Sequence, residues 1–198
     1  MTTTPPARRI GATDSQSRAR LLDAAEQLLL DEGYAAVTSR RVAARAGLKP
    51  QLVHYYFRTM DDLFIEVFRR RADANLERVE RALAADGSLQ TLWRLNADLR
   101  GASFTTEYVA LANHREAVRA EVARYAERYR AAQLEALTAA LEGHRLADDL
   151  PPIVALLLMT GLSQVMALEQ VLGVTAGHDE TIDFVDKALA ELEAGSAP

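Results

Sequence analysis

Cysteine is absent from the chain. That excludes disulfides, thiolate metal sites and thiol nucleophiles, and it fits a reducing compartment. Aromatic residues are scarce at 6%, with a single Trp, and only six prolines interrupt the 198 residues. No stretch shows sustained strand-like alternation of Val, Ile and Thr, so β architectures are not expected. The opening MTTTPPARRIGATDSQ has no apolar core of the kind a secretory leader needs. The longest apolar run, Ile153–Met159, is interrupted afterwards by Thr160, Ser163 and Gln164. It is expected to form a buried core helix and to be too short to span a bilayer. The four His, at 54, 114, 144 and 178, show no metal-ligand spacing, and there is no phosphate-cradling glycine loop. Neither catalytic nor metal residues are expected, nor a cofactor or a membrane partner, and the expected location is cytoplasmic.

What is present is a helix-forming composition. Ala, Leu, Glu and Arg recur throughout, and 49% of residues are apolar, enough to bury a core. The fold class expected is all-α, with about nine helices. Net charge is -5, which argues against indiscriminate nucleic-acid binding. The charge is uneven: residues 1–58 hold nine Lys or Arg against five Asp or Glu, and residues 59–198 hold fourteen against twenty-three. A head of +4 on a body of -9 suits contact with a polyanion at one end only.

Local signals divide the chain. Pro5, Pro6 and Gly11 mark residues 1–14 as a flexible arm, whose Arg8 and Arg9 either reach phosphates or a minor groove or belong to a solvated tail. Leu21, Ala24, Ala25, Leu28 and Leu29 lie on one face of a helix over Ser15–Asp31, ended by Gly33. Thr38 or Ser39 caps a second helix that turns Val42, Ala43 and Ala46 inward and Arg40, Arg41 and Arg45 outward. Gly47 makes a tight turn, and Pro50 sits in the first turn of a third helix closed by Phe57. Thr59 with Asp62 resembles a capping box that opens a long helix over Met60–Ala84. After the break at Asp86-Gly87-Ser88, helices are expected over Leu89–Arg100, Phe104–Ala112 and Arg115–Glu142. A loop follows from Gly143 to Asp149. Pro151 and Pro152 open an apolar helix ending near Gly173, and an amphipathic helix covers Glu180–Glu193. Residues 195–198 are expected to be disordered.

The stretch TSRRVAARAGLKPQLVHYYF, Thr38–Phe57, has the pattern of a helix-turn-helix. Its second helix buries Leu52, Val53 and Phe57 and exposes Lys49, Gln51, His54 and Tyr55. Such a helix enters a major groove with polar side chains at its leading end. Gln51 suits an adenine edge, and Lys49 a guanine edge or a phosphate. Tyr55 can stack on a thymine methyl or bond a phosphate. His54 suits either role, or packs against the first helix. Ser39 and Arg40 stand at a helix N-terminus, where phosphate is favoured.

With those residues in hand, Ser17–Phe68 resembles the N-terminal domain of TetR-family transcriptional regulators. The matching residues are Ala24, Ala25, Leu28, Gly33, Tyr34, Val37, Thr38, Val42, Ala43, Ala46, Gly47, Leu48, Val53, Tyr56, Phe57 and, after an acidic pair, Leu63. The resemblance implies that Thr38, Ser39, Arg40, Lys49, Gln51, His54, Tyr55 and Tyr56 surround double-stranded operator DNA. It divides the chain into a DNA-binding domain at 15–60 and an effector-binding and dimerisation domain at 61–194. There are departures: the family often has Tyr at His54, Ser or Thr at Lys49, and Lys at Met60. Met60 thus removes one phosphate contact, unless Arg58 supplies it.

The resemblance also implies a homodimer paired through the last two helices. Leu156, Met159, Leu162, Val165, Phe184 and Leu189 are the interface residues, with Ala155, Gly161 and Ala167 small enough for close approach. It implies a ligand pocket inside the body, whose candidate residues suggest a small, largely apolar or aromatic effector. The candidate lining is Trp93, Asn96, Leu99, Phe104, Tyr108, Leu111, Tyr125, Tyr129, Met159 and Met166, about half of which are expected to be ordinary core. The function implied is a ligand-released repressor of a palindromic operator. The alternatives are an activator, an architectural DNA binder, which the acidic body disfavours, and a helical enzyme built around His114 with Glu116 or His144 with Asp148 and Asp149.

Overall fold

The computed structural model describes residues 10–97, 101–142 and 150–194. Among the described residues are nine α-helices and the 3-10 turn Tyr34–Ala36, with no strand. In chain order the helices are α1 (Ile10–Glu32), α2 (Ser39–Ala46), α3 (Pro50–Tyr56), α4 (Met60–Ala85) and α5 (Leu89–Ala97). They continue with α6 (Ala102–Ala112), α7 (Glu116–Ala140), α8 (Pro152–Val171) and α9 (His178–Ala194). The 3-10 turn Tyr34–Ala36 joins α1 to α2.

The element boundaries follow local chemistry. Thr38 caps α2, its hydroxyl accepting the Arg41 N–H. Gly47 closes α2 in the left-handed conformation (φ 64°), which a residue with a Cβ adopts only with strain. Pro50 begins α3, where its missing N–H leaves no bond unmade. Thr59 and Asp62 complete a capping box at the start of α4, at 3.1 Å and 3.0 Å. One boundary differs from expectation: α1 begins at Ile10, so residues 10–14 are helical and not part of an arm. The single Gly11 is carried inside the helix, a penalty of only about 1 kcal/mol. Residues 1–9, the expected 143–149 loop and the 195–198 tail lie outside the described residues.

Two apolar clusters hold the molecule together. The larger joins head to body: Leu21, Leu28, Val42, Val53 and Phe57 meet Leu63, Phe64, Val67 and Phe68 of α4, and then Phe104, Tyr108 and Leu111 of α6. Burial of each such Leu, Val or Phe contributes about 1.5–3 kcal/mol. The second cluster, Leu89, Leu92, Leu137, Leu141 and Leu156, fastens α5, α7 and α8, with Leu189 and Leu192 of α9 packed against it. The long α4 belongs to both halves, because its first turns complete the head and it then packs along α7.

α8 departs from expectation. It is not a buried core helix: only 17% of its most apolar window is buried within the protomer. At 20 residues and a mean hydropathy of 1.6 over that window, it is also long and apolar enough to cross a membrane by length and composition. Thr160 and Ser163 do not break the run, because their hydroxyls donate to the Leu156 and Met159 carbonyls of the preceding turn. One face, with Val154, Leu158, Val165, Leu168 and Leu172, is exposed; the opposite face buries Leu156, Ser163 and Met166.

Candidate nucleic-acid interface

α2 and α3 are set against α1 by side chains that leave their outer surfaces free. Val42, Ala43 and Ala46 of α2 and Val53 of α3 are buried, and Phe57 closes the corner under the Arg18 guanidinium. Arg20 of α1 donates to the Ala46 carbonyl at the end of α2, which fixes the turn. Leu52, expected to be buried, is half-buried against the same core.

The outer surface carries the polar row the sequence pattern predicts. Lys49, Gln51 and His54 are exposed, and Tyr55 is 70% exposed, its ring edge-on to Tyr56. His54 therefore does not pack against α1. Tyr56 is half-buried on the head core. Thr38 and Arg40 are exposed and Ser39 half-exposed at the start of α2. Met60 packs on the core, and the exposed Arg58 stands two residues before it.

The arginines of α2 divide into two kinds. Arg41 reaches Glu32 of α1 at 2.6 Å, and Arg45 reaches Asp31 at 2.9 Å and Glu32 at 3.5 Å. These two are committed to holding α2 on α1. Arg40, Lys49 and Arg58 make no side-chain ion pair or hydrogen bond among the described residues. Arg40 and Arg58 thus flank the exposed α3 row, and Lys49 stands at its start, without an ion pair among the described residues.

The head is tied to the body by polar contacts as well as by the shared core. Arg70 of α4 reaches Asp23 at 2.6 Å and Glu26 at 2.7 Å on α1, and Arg71 also reaches Glu26, at 2.9 Å. Glu107 of α6 accepts the Tyr34 N–H, and Arg115 pairs with Asp61 at the start of α4. The Tyr108 hydroxyl donates to the Phe64 carbonyl at 2.8 Å, and burial pushes its pKa far above the ordinary tyrosine range.

Comparison with known proteins agrees with this geometry. Residues 21–67 match the model of bacterial regulatory proteins of the tetR family. The chain is 32% identical over 145 residues to the HTH-type transcriptional regulator BetI of Rhizobium meliloti (strain 1021), covering 66% of this chain and 70% of that relative. The chain belongs to the TetR family. It is a DNA-binding transcriptional regulator. A TetR regulator from Haloarcula marismortui ATCC 43049 shares the fold at a TM-score of 0.72 and 18% identity, over 89% of this chain and 97% of that one. A transcriptional regulator from Saccharomonospora viridis, solved in complex with choline, does so at 0.73 and 17%, over 89% and 95%.

Within this TetR body, the candidate ligand and dimer residues fall in several places. Phe104, Tyr108 and Leu111 belong to the cluster joining head and body, with Tyr125 packed against it and bonded through its hydroxyl to Asn75 at 2.6 Å. The Tyr129 ring lies tilted against Tyr125, with centroids 5.8 Å apart. Trp93 and Met166 are buried outside both clusters, and Met159 packs on the second. Asn96 bonds Gln133, and Leu99 lies outside the described residues. Leu156 is 1% exposed on the inner face of α8, so it is a core residue and not available to a partner; Ala155 also packs inward. Leu189 packs on the core as well. Leu162, Val165 (54%) and Phe184 (72%) face outward.

Sequence reasoning missed Glu107, Glu121 and Gln133. Glu121 and Gln133 are polar residues on the inward face of α7, and Gln133 continues the apolar stripe of Val118, Val122, Tyr125 and Tyr129. A polar residue on such a stripe was the available signal.

Proposed function

We propose that this regulator is an effector-released repressor that binds a near-palindromic operator as a homodimer. The observation that carries the reading is the row Lys49, Gln51, His54 and Tyr55. It is exposed on a short helix that Pro50 opens and the Phe57 N–H closes, held beside the capped α2, and the flanking Arg40 and Arg58 make no ion pair among the described residues. Gln51, Tyr55, Lys49 and His54 read base edges, and Thr38, Ser39, Arg40, Tyr56 and Arg58 hold phosphates. The exposed apolar face of α8, with Leu162, Val165 and the adjoining Phe184 of α9, is covered by a second copy. An apolar surface of that length on a lone protomer would favour association. Twofold pairing sets two α3 helices about one DNA turn apart, or a multiple of it.

Release follows from a shift in population. An effector in the body favours a different tilt of α4, which spans both halves, and so a different spacing of the heads. A hundredfold loss of operator affinity needs about 3 kcal/mol of differential binding. Selection of bound duplexes from a random pool tests the reading. A short inverted repeat is the expected product. Extended coating without a consensus would favour an architectural role, and no enrichment would end the proposal.

A further inference from the structure

A buried amide pair links α5 to α7 in the body. On α5, Asn96 stands one turn beyond Leu92; on α7, Gln133 stands one turn before Leu137 and one turn after Tyr129. The Asn96 side-chain amide donates to the Leu92 carbonyl at 2.9 Å and to Gln133 Oε1 at 3.0 Å. Gln133 is fully buried, at 0% exposure, and its Nε2 has no hydrogen-bond partner.

The orientation of this amide is fixed by its neighbours. Asn96 must turn its NH2 group toward the Leu92 carbonyl, because turning its oxygen there would oppose two acceptors. That NH2 then needs an acceptor from Gln133, so Gln133 presents its oxygen to Asn96 and its own NH2 elsewhere. Rotating either amide breaks a bond without satisfying the free donor. A buried donor left unpaired is destabilising, and native interiors keep few of them.

The surroundings define the chemistry of what this donor can meet. Trp93 on α5 is buried, and α8, which packs on both α5 and α7, buries Ser163 and Met166. The Ser163 hydroxyl is already committed to the Met159 carbonyl at 2.8 Å. Among the described residues the buried Glu121 is paired with Arg69 and Arg124 and the His178 ring bonds Glu169, while Asp186 of α9, the helix that packs on α5, keeps a buried Oδ1 without a hydrogen-bond partner. The amide pair itself therefore offers a neutral donor and no charge of its own, so an ionic group bound to it would find no counter-charge on Asn96 or Gln133.

We propose that Gln133 is the polar anchor of the effector site. Its free amide N–H donates to a carbonyl-type oxygen of an uncharged, otherwise apolar or aromatic molecule held between α5, α7 and α8. This rests on the reading of the body as an effector-binding unit.

The test uses the full chain and two matched probe pairs: acetophenone against ethylbenzene, and cyclohexyl methyl ketone against ethylcyclohexane. Choline serves as a cationic probe. Binding is measured by calorimetry and by fluorescence of Trp93, the chain's single tryptophan. At least one ketone is expected to bind roughly tenfold tighter than its hydrocarbon, with a change in Trp93 emission. In Gln133→Met, checked for folding by thermal unfolding, that preference is expected to vanish. Equal binding within both pairs, binding that leaves Trp93 unchanged, tighter binding of choline, or a preference that survives in Gln133→Met would overturn the proposal. If the variant does not fold, the wild-type comparison decides alone. Operator selection run in parallel separates the two readings. An enriched operator without ketone preference overturns only this inference, and ketone preference without an operator overturns only the repressor reading.

Discussion

Glu107 of α6 accepts the main-chain N–H of Tyr34 at 2.9 Å, a bond from the body to the 3-10 turn where α1 hands over to α2. The preceding Gly33 adopts φ 79° directly beneath that carboxylate. A carboxylate bonded to a backbone N–H is a charge-assisted contact, worth about 1.5–3 kcal/mol. Any rearrangement of α6 is thus felt at the base of the reading head. Glu107→Ala is expected to lower stability by about that amount and to weaken operator binding. Glu107→Gln, which keeps an acceptor, is expected to restore most of both. Denaturant unfolding and operator titration of the two variants check this.

The division among the head arginines has a consequence in salt. Arg40 and Arg58 are free for phosphate, whereas Arg41 and Arg45 are tied to Glu32 and Asp31. Arg40→Ala and Arg58→Ala are each expected to lower the slope of log affinity against log salt by about 1. Arg45→Ala is expected to leave the slope unchanged and to cost under about 1 kcal/mol of stability, as exposed pairs do. Operator titrations across a salt series distinguish the two classes.

The two faces of α8 have opposite mutational signatures. Val165→Glu, on the exposed face, is expected to give a folded monomer with much weaker operator binding. Leu156→Ala, on the inner face, is expected to destabilise the fold by about 2–5 kcal/mol through the cavity it leaves. Sedimentation and denaturant unfolding report the two effects separately. A dimer that survives Val165→Glu would remove α8 from the interface.

The α4–α7 seam is sensitive to acid. Glu121 takes a bidentate contact from Arg69, at 3.0 Å and 2.9 Å, and a further bond from Arg124. The Arg69 hydrogen bonds hold its carboxyl below the usual glutamate range, against the opposing effect of burial. A carboxyl depressed in the folded state stabilises fully above its unfolded pKa and loses that contribution as pH falls through its folded value. Wild-type stability is therefore expected to fall on acidification below about pH 4. Glu121→Gln is expected to be less stable at neutral pH and flatter in acid. Parallel stability–pH curves for the two proteins would contradict this.

The head was legible in the sequence because its signals are local. Thr38, Gly47, Pro50 and the Thr59–Asp62 pair each satisfy or release backbone groups within a few residues, so their types mark the boundaries. The body was less legible, for two physical reasons. Composition shows that α8 is apolar, but not whether its apolar surface meets the protomer's own core or a second chain. The phase of the helix decides that, and it put Leu156 inside and Val165 outside. Gln133, Glu107 and Glu121 acquire their roles from partners many residues away, which spacing along the chain does not reveal.

The central claim is that α3 reads base edges through Gln51 and Tyr55. Both residues are exposed and neither packs in the core, so changing both to Ala should leave the fold intact. The direct measurement is affinity of wild type and the Gln51→Ala, Tyr55→Ala double variant for the selected operator and for a scrambled duplex of equal length. The expected result is loss of discrimination, with the weak, salt-sensitive binding common to both duplexes retained. Undiminished preference for the operator in the double variant would contradict the claim.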